Sequence, residues 1–421
     1  MEKFFKKLRH LIPNRPMSRF NTIAGSSNIS ELFFLIFHFF SRRKNAISIF
    51  EDKLSKLSGT KHVLSFGAGR MALYAGLEAL EIEEGDEIII PAFTCVVVAN
   101  AILYRGATPI YVDIDSKDFN IDVSKIKKLI SKKTRAIYAQ HTFGVPCNIE
   151  ALKRICEDNN LFLIEDAAHI IGVKINEQMI GSFGDISFFS FDHSKIINTY
   201  SGGAACTNNL ELGKKLFAIQ KRSKELYKLQ KVKLIFSHFF EVIFFHPYLL
   251  WIGKVFFKIL VKLKVIFSFD DQLNINLPSN YPFPCKFTNF QALIGIGQIN
   301  NLDENLIQRK KINNLLNGIL NLRGAKKDQL PLIRYSFLVK DRKKFEKKFH
   351  NRFDLQVWFT SVLHMRNDNL NEVKYSIGSC PIAEKVSRHI VNFPTHQRVN
   401  QSILKKEIQK NLIWIKKQII E

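Results

Sequence analysis

Four short segments carry residues that could do chemistry together. Residues 65–73 read SFGAGRMAL, with Gly67 and Gly69 just ahead of a helical pattern, so backbone N–H groups at a helix start could hold a phosphate. Alone, a Gly-rich strand-to-helix turn is commonly no more than a turn. LIEDAAH puts Asp166 at the end of an apolar run and His169 three residues on; an Asp in that place is often only a helix cap. GDISFFSFDHSK ends an apolar run on Ser190 and sets Lys195 five residues later, and SGGAACTNN follows at once. By itself Lys195 would be one surface lysine among many. Delivered to the same sheet edge as a phosphate turn and a buried carboxylate, it has the partners that pyridoxal 5'-phosphate needs. The amine forms a Schiff base, the Asp keeps the pyridine nitrogen protonated so that the ring accepts electrons, and the turn holds the phosphate.

These residues meet only if the runs that precede them are neighbouring strands. HVLSF, DEIIIPAF, ATPIYVDI, TRAIYAQHTFG and LFLIEDAA are apolar runs separated by helix-length stretches such as MALYAGLEAL. That pattern predicts an α/β unit with a parallel sheet covered on both faces, and ligands bind beyond the carboxyl ends of such strands. Composition agrees: 46% hydrophobic and 24% charged residues exclude disordered and collagen-like classes, and 421 residues suggest two domains with a cleft. The chain divides into a basic aromatic N-terminal arm (1–56, containing ELFFLIFHFF), a large domain (57–320) and a smaller α+β C-terminal domain (321–421). The last holds the runs IRYSFLV, LQVWF and HIVNFP. FQALIGIGQINNLDENLIQRKKINNLLNGIL, beginning after Thr288, has the spacing of one amphipathic helix.

Lys plus Arg at 62 against Asp plus Glu at 38 leaves +24, which favours an acidic partner: a phosphorylated substrate, anionic lipid or nucleic acid. No helix-turn-helix or zinc pattern is present and the lysines are dispersed, so nucleic acid is not expected. Six cysteines without a CxxC pair, and no secretory leader, predict reduced thiols in the cytoplasm and no metal site. No run reaches the roughly 18 apolar residues of a spanning helix.

Together these blocks resemble the DegT/DnrJ/StrS nucleotide-sugar aminotransferases, which are fold-type I pyridoxal-phosphate enzymes. The resemblance is carried by residues 85–115 (GDEIIIPAFTCVVVANAILYRGATPIYVDID), EDAAH, GDISFFSF with Lys195, TNFQALIGIGQINNLDENLIQRKK and CPIAEKVSRHIVNFPTH. It implies that Lys195 is the Schiff-base lysine and general acid/base, that Asp166 pairs with the pyridine nitrogen, and that His169 lies near the phenolic oxygen. Ser190 with the backbone of Gly69 and Arg70 would hold the phosphate. His141 stands at a family histidine position, for which structural and functional roles both remain open. Four departures are visible: Gly-Arg for Gly-Thr in the phosphate turn, Cys95 where an aromatic ring often stacks on the cofactor, Ser201 where Glu precedes Gly-Gly, and FPCKFTN at 283–289 in place of an Asn-Tyr-Arg-Met pattern that reaches the neighbouring subunit.

The resemblance implies a homodimer that takes an amino group from an amino acid, with glutamate the expected donor, to a nucleotide-linked keto-sugar for surface polysaccharide or glycolipid. Relatives that dehydrate the sugar carry His in place of the lysine, so the retained Lys195 favours transfer. Alternatives are a sugar dehydratase or a non-catalytic membrane-associated scaffold that keeps the fold. The basic hydrophobic insertion at 226–270 is shorter in the family. Pro247 should break it into two helices, on the second of which Lys254, Lys258 and Lys262 share a face. Residues 230–268 could lie at a membrane interface, giving a cytoplasmic protein contact with the inner membrane surface, or pack on the partner or on the body of the chain.

Overall fold

The computed structural model describes residues 20, 26, 45–269, 273–322, 329–353, 355 and 358–420. ELFFLIFHFF lies outside the described residues. The apolar runs form a seven-stranded sheet of β1 (His62–Phe66), β2 (Glu87–Pro91), β3 (Thr108–Val112), β4 (Thr134–Gln140), β5 (Phe162–Asp166), β6 (Ile186–Ser190) and β7 (Gly203–Thr207), in the order β1-β7-β6-β5-β4-β2-β3. Neighbours from β6 to β3 pair in parallel, whereas β7 runs antiparallel to both β1 and β6. This is the mostly parallel sheet expected of a fold-type I enzyme.

Register decides what meets at the edge. Gly203 pairs with both Phe66 and Ser190, and Asp166 pairs with Gln140. The carboxyl ends of β1, β4, β5 and β6 therefore fall side by side, with the start of β7 among them. Ile88, Ile89 and Ile90 of β2 are wholly buried, as a strand covered on both faces requires.

Helix α1 (Ala46–Ser58) runs through the 56/57 position, where composition changes, and Phe50 packs edge-on to Phe191 at 5.2 Å. Helix α2 (Gly69–Ala79) follows β1. The insertion folds into α3 (Lys228–Phe244) and α4 (Leu250–Lys262), separated around Pro247. The long amphipathic stretch is two helices rather than one: α5 (Asn289–Asn300) and α6 (Leu302–Leu320) break at Asn301, whose φ of −105° and ψ of 14° leave the helical region. Asp303 and Glu304 then restart the helix favourably at its positive end. In the C-terminal segment, β8 (Arg334–Leu338) pairs with β9 (Ile390–Pro394). LQVWF falls partly outside the described residues and its Trp358 and Phe359 belong to no strand.

Candidate active site

A cavity of about 930 Å³ opens at the carboxyl edge of the sheet, and Gly69, Arg70, Cys95, Asp166, His169, Ser190 and Lys195 all line it. The sheet register explains how positions so distant in sequence converge. Helix α2 begins at Gly69 with no side-chain cap and no acidic residue in its first turn, so its positive end is left for an anion. Gly69 is needed for close approach: a Cβ there would stand 2.8 Å from Ser190 Cβ and 2.9 Å from its Oγ. Gly203 is tighter still, 2.4 Å from Gly69 Cα, so backbone presses on backbone.

Asp166 is buried and doubly anchored. Its Oδ2 accepts from the Tyr138 hydroxyl at 2.6 Å and its Oδ1 from the Ala168 N–H at 2.8 Å. Burial raises its pKa; the Tyr138 and Ala168 donors and the Lys195 charge limit the rise. Burial likewise lowers the Lys195 pKa, opposed by Asp192 and Asp166. The Lys195 amine sits 4.5 Å from the Trp358 ring centroid.

His169 accepts the Phe143 N–H at Nδ1 (3.2 Å), which places its own proton on Nε2, and it stacks on Trp358 at 4.9 Å. Burial, reinforced by Lys195 and Arg334, holds its pKa well below the usual histidine range, so it is neutral. Cys95 forms a short parallel ladder with His364, which brings that residue to the cavity wall. Desolvation pushes the Cys95 thiol up against the pull of Lys195 and Arg70. Although Cys95 is no aromatic, Trp358 and Phe359 give the cavity an aromatic wall.

His141 is elsewhere. It is wholly buried, with Nε2 3.2 Å from Glu165 Oε1 and Nδ1 accepting the Cys147 N–H at 3.1 Å. The same Glu165 accepts N–H groups from Gly181, Phe183 and Gly184, so His141 completes a buried polar knot behind the sheet edge. Two of the sequence departures acquire structural partners. Ser201 donates to the Gly67 carbonyl at 2.7 Å. Cys285 accepts the Gly67 N–H at its carbonyl and fills the space that a Cβ on Gly67 would need, 2.2 Å from its Sγ.

Sequence reasoning missed Tyr138 and Trp358, and it named the insertion without bringing it to the cavity. Tyr138 lies two residues before Gln140 on β4, whose register partner is Asp166, so both point to one face; nothing in the sequence marks it apart from the core residues around it. Gln230, Lys233, Phe257 and Lys264 of the insertion also line the cavity.

A family model described as the DegT/DnrJ/EryC1/StrS aminotransferase family matches residues 38–239 and 268–410. GDP-perosamine synthase of Escherichia coli O157:H7 is 41% identical over 172 residues, 41% of this chain and 47% of that protein. GDP-perosamine synthase of Caulobacter vibrioides is 30% identical over 263 residues, 62% of this chain and 58% of that protein. A UDP-N-acetyl-3-dehydro-alpha-D-glucosamine 3-aminotransferase of Acidithiobacillus ferrooxidans is 40% identical over 167 residues, 39% of this chain and 45% of that protein. The chain thus spans about half the length of the curated relatives it matches. Among solved structures, NtdA of Bacillus subtilis with bound cofactor PMP aligns with a TM-score of 0.72 at 23% identity, covering 96% of this chain and 87% of that one. The PMP form of the sugar aminotransferase Spr1654 of Streptococcus pneumoniae aligns with a TM-score of 0.70 at 18% identity, covering 96% and 100%. These likenesses show the fold.

Proposed function

Because the chain belongs to the DegT/DnrJ/EryC1/StrS aminotransferase family, we propose that it is a pyridoxal-phosphate-dependent aminotransferase. It moves an amino group from an amino acid, glutamate, to a keto-sugar on a nucleotide diphosphate, for surface polysaccharide or glycolipid. The observation that carries this is the convergence of Lys195, Asp166, Ser190 and the start of α2 on one cavity.

The donor set fits the cofactor. The space beside Gly69 that a Cβ would fill abuts the Ser190 hydroxyl, so Ser190 and the N–H groups of Gly69 and Arg70 would hold the phosphate. Asp166 would face the pyridine nitrogen, His169 Nε2–H the phenolic oxygen, and Cys95 would line the same wall. When bound, the cofactor supplies an electron sink for the carbon bearing the amino group. Lys195 moves the proton: its lowered pKa keeps a larger share of Nζ neutral and able to accept one. Asp166 is held in place by Tyr138 and Ala168 while it keeps a proton on the ring nitrogen. Trp358 and Phe359 exclude water from one wall. Arg70, Lys233 and Lys264 line the same cavity, which suits an anionic acceptor, and the GDP and UDP in the relatives' names support a nucleotide-linked one. Incubation with ¹⁵N-glutamate and a panel of GDP- and UDP-linked keto-sugars should put the label on one sugar; no transfer to any keto-sugar, with glutamate still consumed, would contradict this acceptor class.

The working unit is proposed to be a homodimer, read directly by light scattering. Contact with an anionic inner membrane surface from the cytoplasm is proposed through the insertion. Helix α3 exposes Leu229, Val232 and Phe236 at helical spacing, and α4 exposes Phe256 and Ile259 beside Lys258 and Lys262, with Leu263 exposed just past its end. An apolar stripe flanked by lysines matches acyl chains beneath anionic headgroups. Among the described residues no helix is long and apolar enough to cross a membrane.

A further inference from the structure

The matched family segments stop at 239 and resume at 268, so the C-terminal turn of α3 lies outside them. That turn carries one carboxylate, Glu241, in a run of aromatic and aliphatic residues, and it is 2% exposed. A carboxylate removed from water persists only where hydrogen bonds or charges replace the water. Glu241 Oε1 accepts from Asn198 Nδ2 at 2.8 Å, and its Oε2 lies 3.2 Å from His193 Nδ1. His193 is two residues before Lys195 and Asn198 three after, so a single carboxylate grips the lysine loop on both sides.

The rest of the loop is braced as well. Gln298 of α5 holds both backbone groups of Asn198, at 2.6 Å and 2.9 Å, and Asn305 of α6 donates to the Ile196 carbonyl at 3.0 Å. Those braces act after Lys195. On the near side, the loop's own Asp192 approaches His193 at 3.7 Å and Tyr200 packs edge-on against it at 5.7 Å. From outside the loop, Phe50 and Phe287 pack on Phe191, Ser26 donates to the Lys195 carbonyl at 3.1 Å, and Glu241 is, among the described residues, the side chain that grips His193 by a hydrogen bond. The insertion also touches the loop's exit, where the Tyr200 hydroxyl donates to the Phe267 carbonyl at 3.3 Å and the Phe267 N–H donates to Ser237 of α3 at 2.8 Å.

We propose that Glu241 is a positioning residue for Lys195, and that the insertion serves the active site by fixing the loop from which the lysine reaches the cavity. The proposal rests on Lys195 being the residue that bonds the cofactor. Full-length protein is titrated with pyridoxal 5'-phosphate, and formation of the lysine–cofactor bond is followed by visible absorbance and by borohydride trapping with peptide mass spectrometry. Glu241→Leu should slow bond formation on the order of 10²-fold, the scale set by misplacing a reacting group by about an ångström. Glu241→Gln, which keeps an acceptor for Asn198, should recover part of it, and His193→Ala should act in the same direction as Glu241→Leu. Phe240→Leu, a packing change one residue away, should lower Tm without slowing the bond. Wild-type bond formation in both Glu241 variants would overturn the proposal, as would slowing in Phe240→Leu equal to that in Glu241→Leu at matched Tm. Trapping of the cofactor on a lysine other than Lys195 in the parent protein would instead overturn the reading on which the proposal rests.

Discussion

The Tyr138 hydroxyl touches no reacting atom in the proposed chemistry, yet it is one of two donors that keep the Asp166 carboxylate where burial would otherwise protonate it. Tyr138→Phe should raise the Asp166 pKa further, because a hydrogen bond to the charged form is lost. Stability should fall by roughly 1–3 kcal/mol as a buried acceptor loses its partner. Cofactor affinity should weaken most at the acid end of the pH range. Urea unfolding and cofactor titration of the two proteins check this, and equality in both would contradict it. Three histidines set a second expectation. Burial keeps His169, His238 and His364 neutral, with the last two pushed down to about 3. The unfolded chain protonates each near pH 6.5 while the folded chain does not, so the stability present above about 6.5 is lost as pH falls below it, for His238 and His364 down to about 3, by up to about 1.4 kcal/mol per pH unit each. His238→Leu should flatten the fall in Tm between about pH 7 and 5. An unchanged slope would show that His238 is not the buried neutral group described. At this scale the placing of Asp166, Ser190 and Lys195 at one sheet edge was legible because Asp166 and Ser190 end apolar runs and Lys195 stands five residues beyond the second. Tyr138 and Trp358 were not, since an aromatic inside an apolar run looks like core.

Close approach between elements is the main constraint one level up. Gly203→Ala would drive a Cβ to 2.4 Å from Gly69 Cα, and neither backbone can yield without parting β7 from the start of α2. That substitution should cost roughly 1–3 kcal/mol and loosen the phosphate end of the cavity. Gly318→Ala provides the contrast, since nothing lies within 4 Å of its added methyl inside α6. It should stabilise the protein by up to about 1 kcal/mol. Thermal unfolding of both, with cofactor titration of the first, reads the difference; equal effects would refute the packing described. Strands were legible because a buried parallel sheet demands apolar runs, the unbroken Ile88, Ile89 and Ile90 of β2 most plainly and the buried Ala136, Ile137, Tyr138 and Ala139 of β4 after them. The break at Asn301 was hidden because the apolar spacing continues across it. In LQVWF, Trp358 and Phe359 are apolar and line the cavity wall rather than a strand.

Over the whole molecule, the insertion has two faces with different duties. Its buried side meets the lysine loop and the cavity, and its outer side presents Leu229, Val232, Phe236, Phe256, Ile259 and Leu263 with lysines. Flotation with vesicles rich in anionic lipid should carry the protein, and Phe236→Ser with Phe256→Ser should abolish this while leaving the cofactor spectrum unchanged. Flotation that persists in the double variant would place the contact elsewhere. The sequence announced the amphipathic helices and Pro247 but not Glu241's grip on His193 and Asn198, because a contact across more than 40 residues leaves no periodic trace. The proposed chemistry and the role given to Glu241 depend on Lys195 bonding the cofactor. The most direct measurement is the visible spectrum of the parent protein and of Lys195→Ala after addition of pyridoxal 5'-phosphate and then glutamate. The parent should gain the band of a lysine-bound cofactor and lose it to glutamate, while the variant, folded by circular dichroism, should never show that band. The same band in Lys195→Ala, or no uptake by the parent, would contradict the assignment.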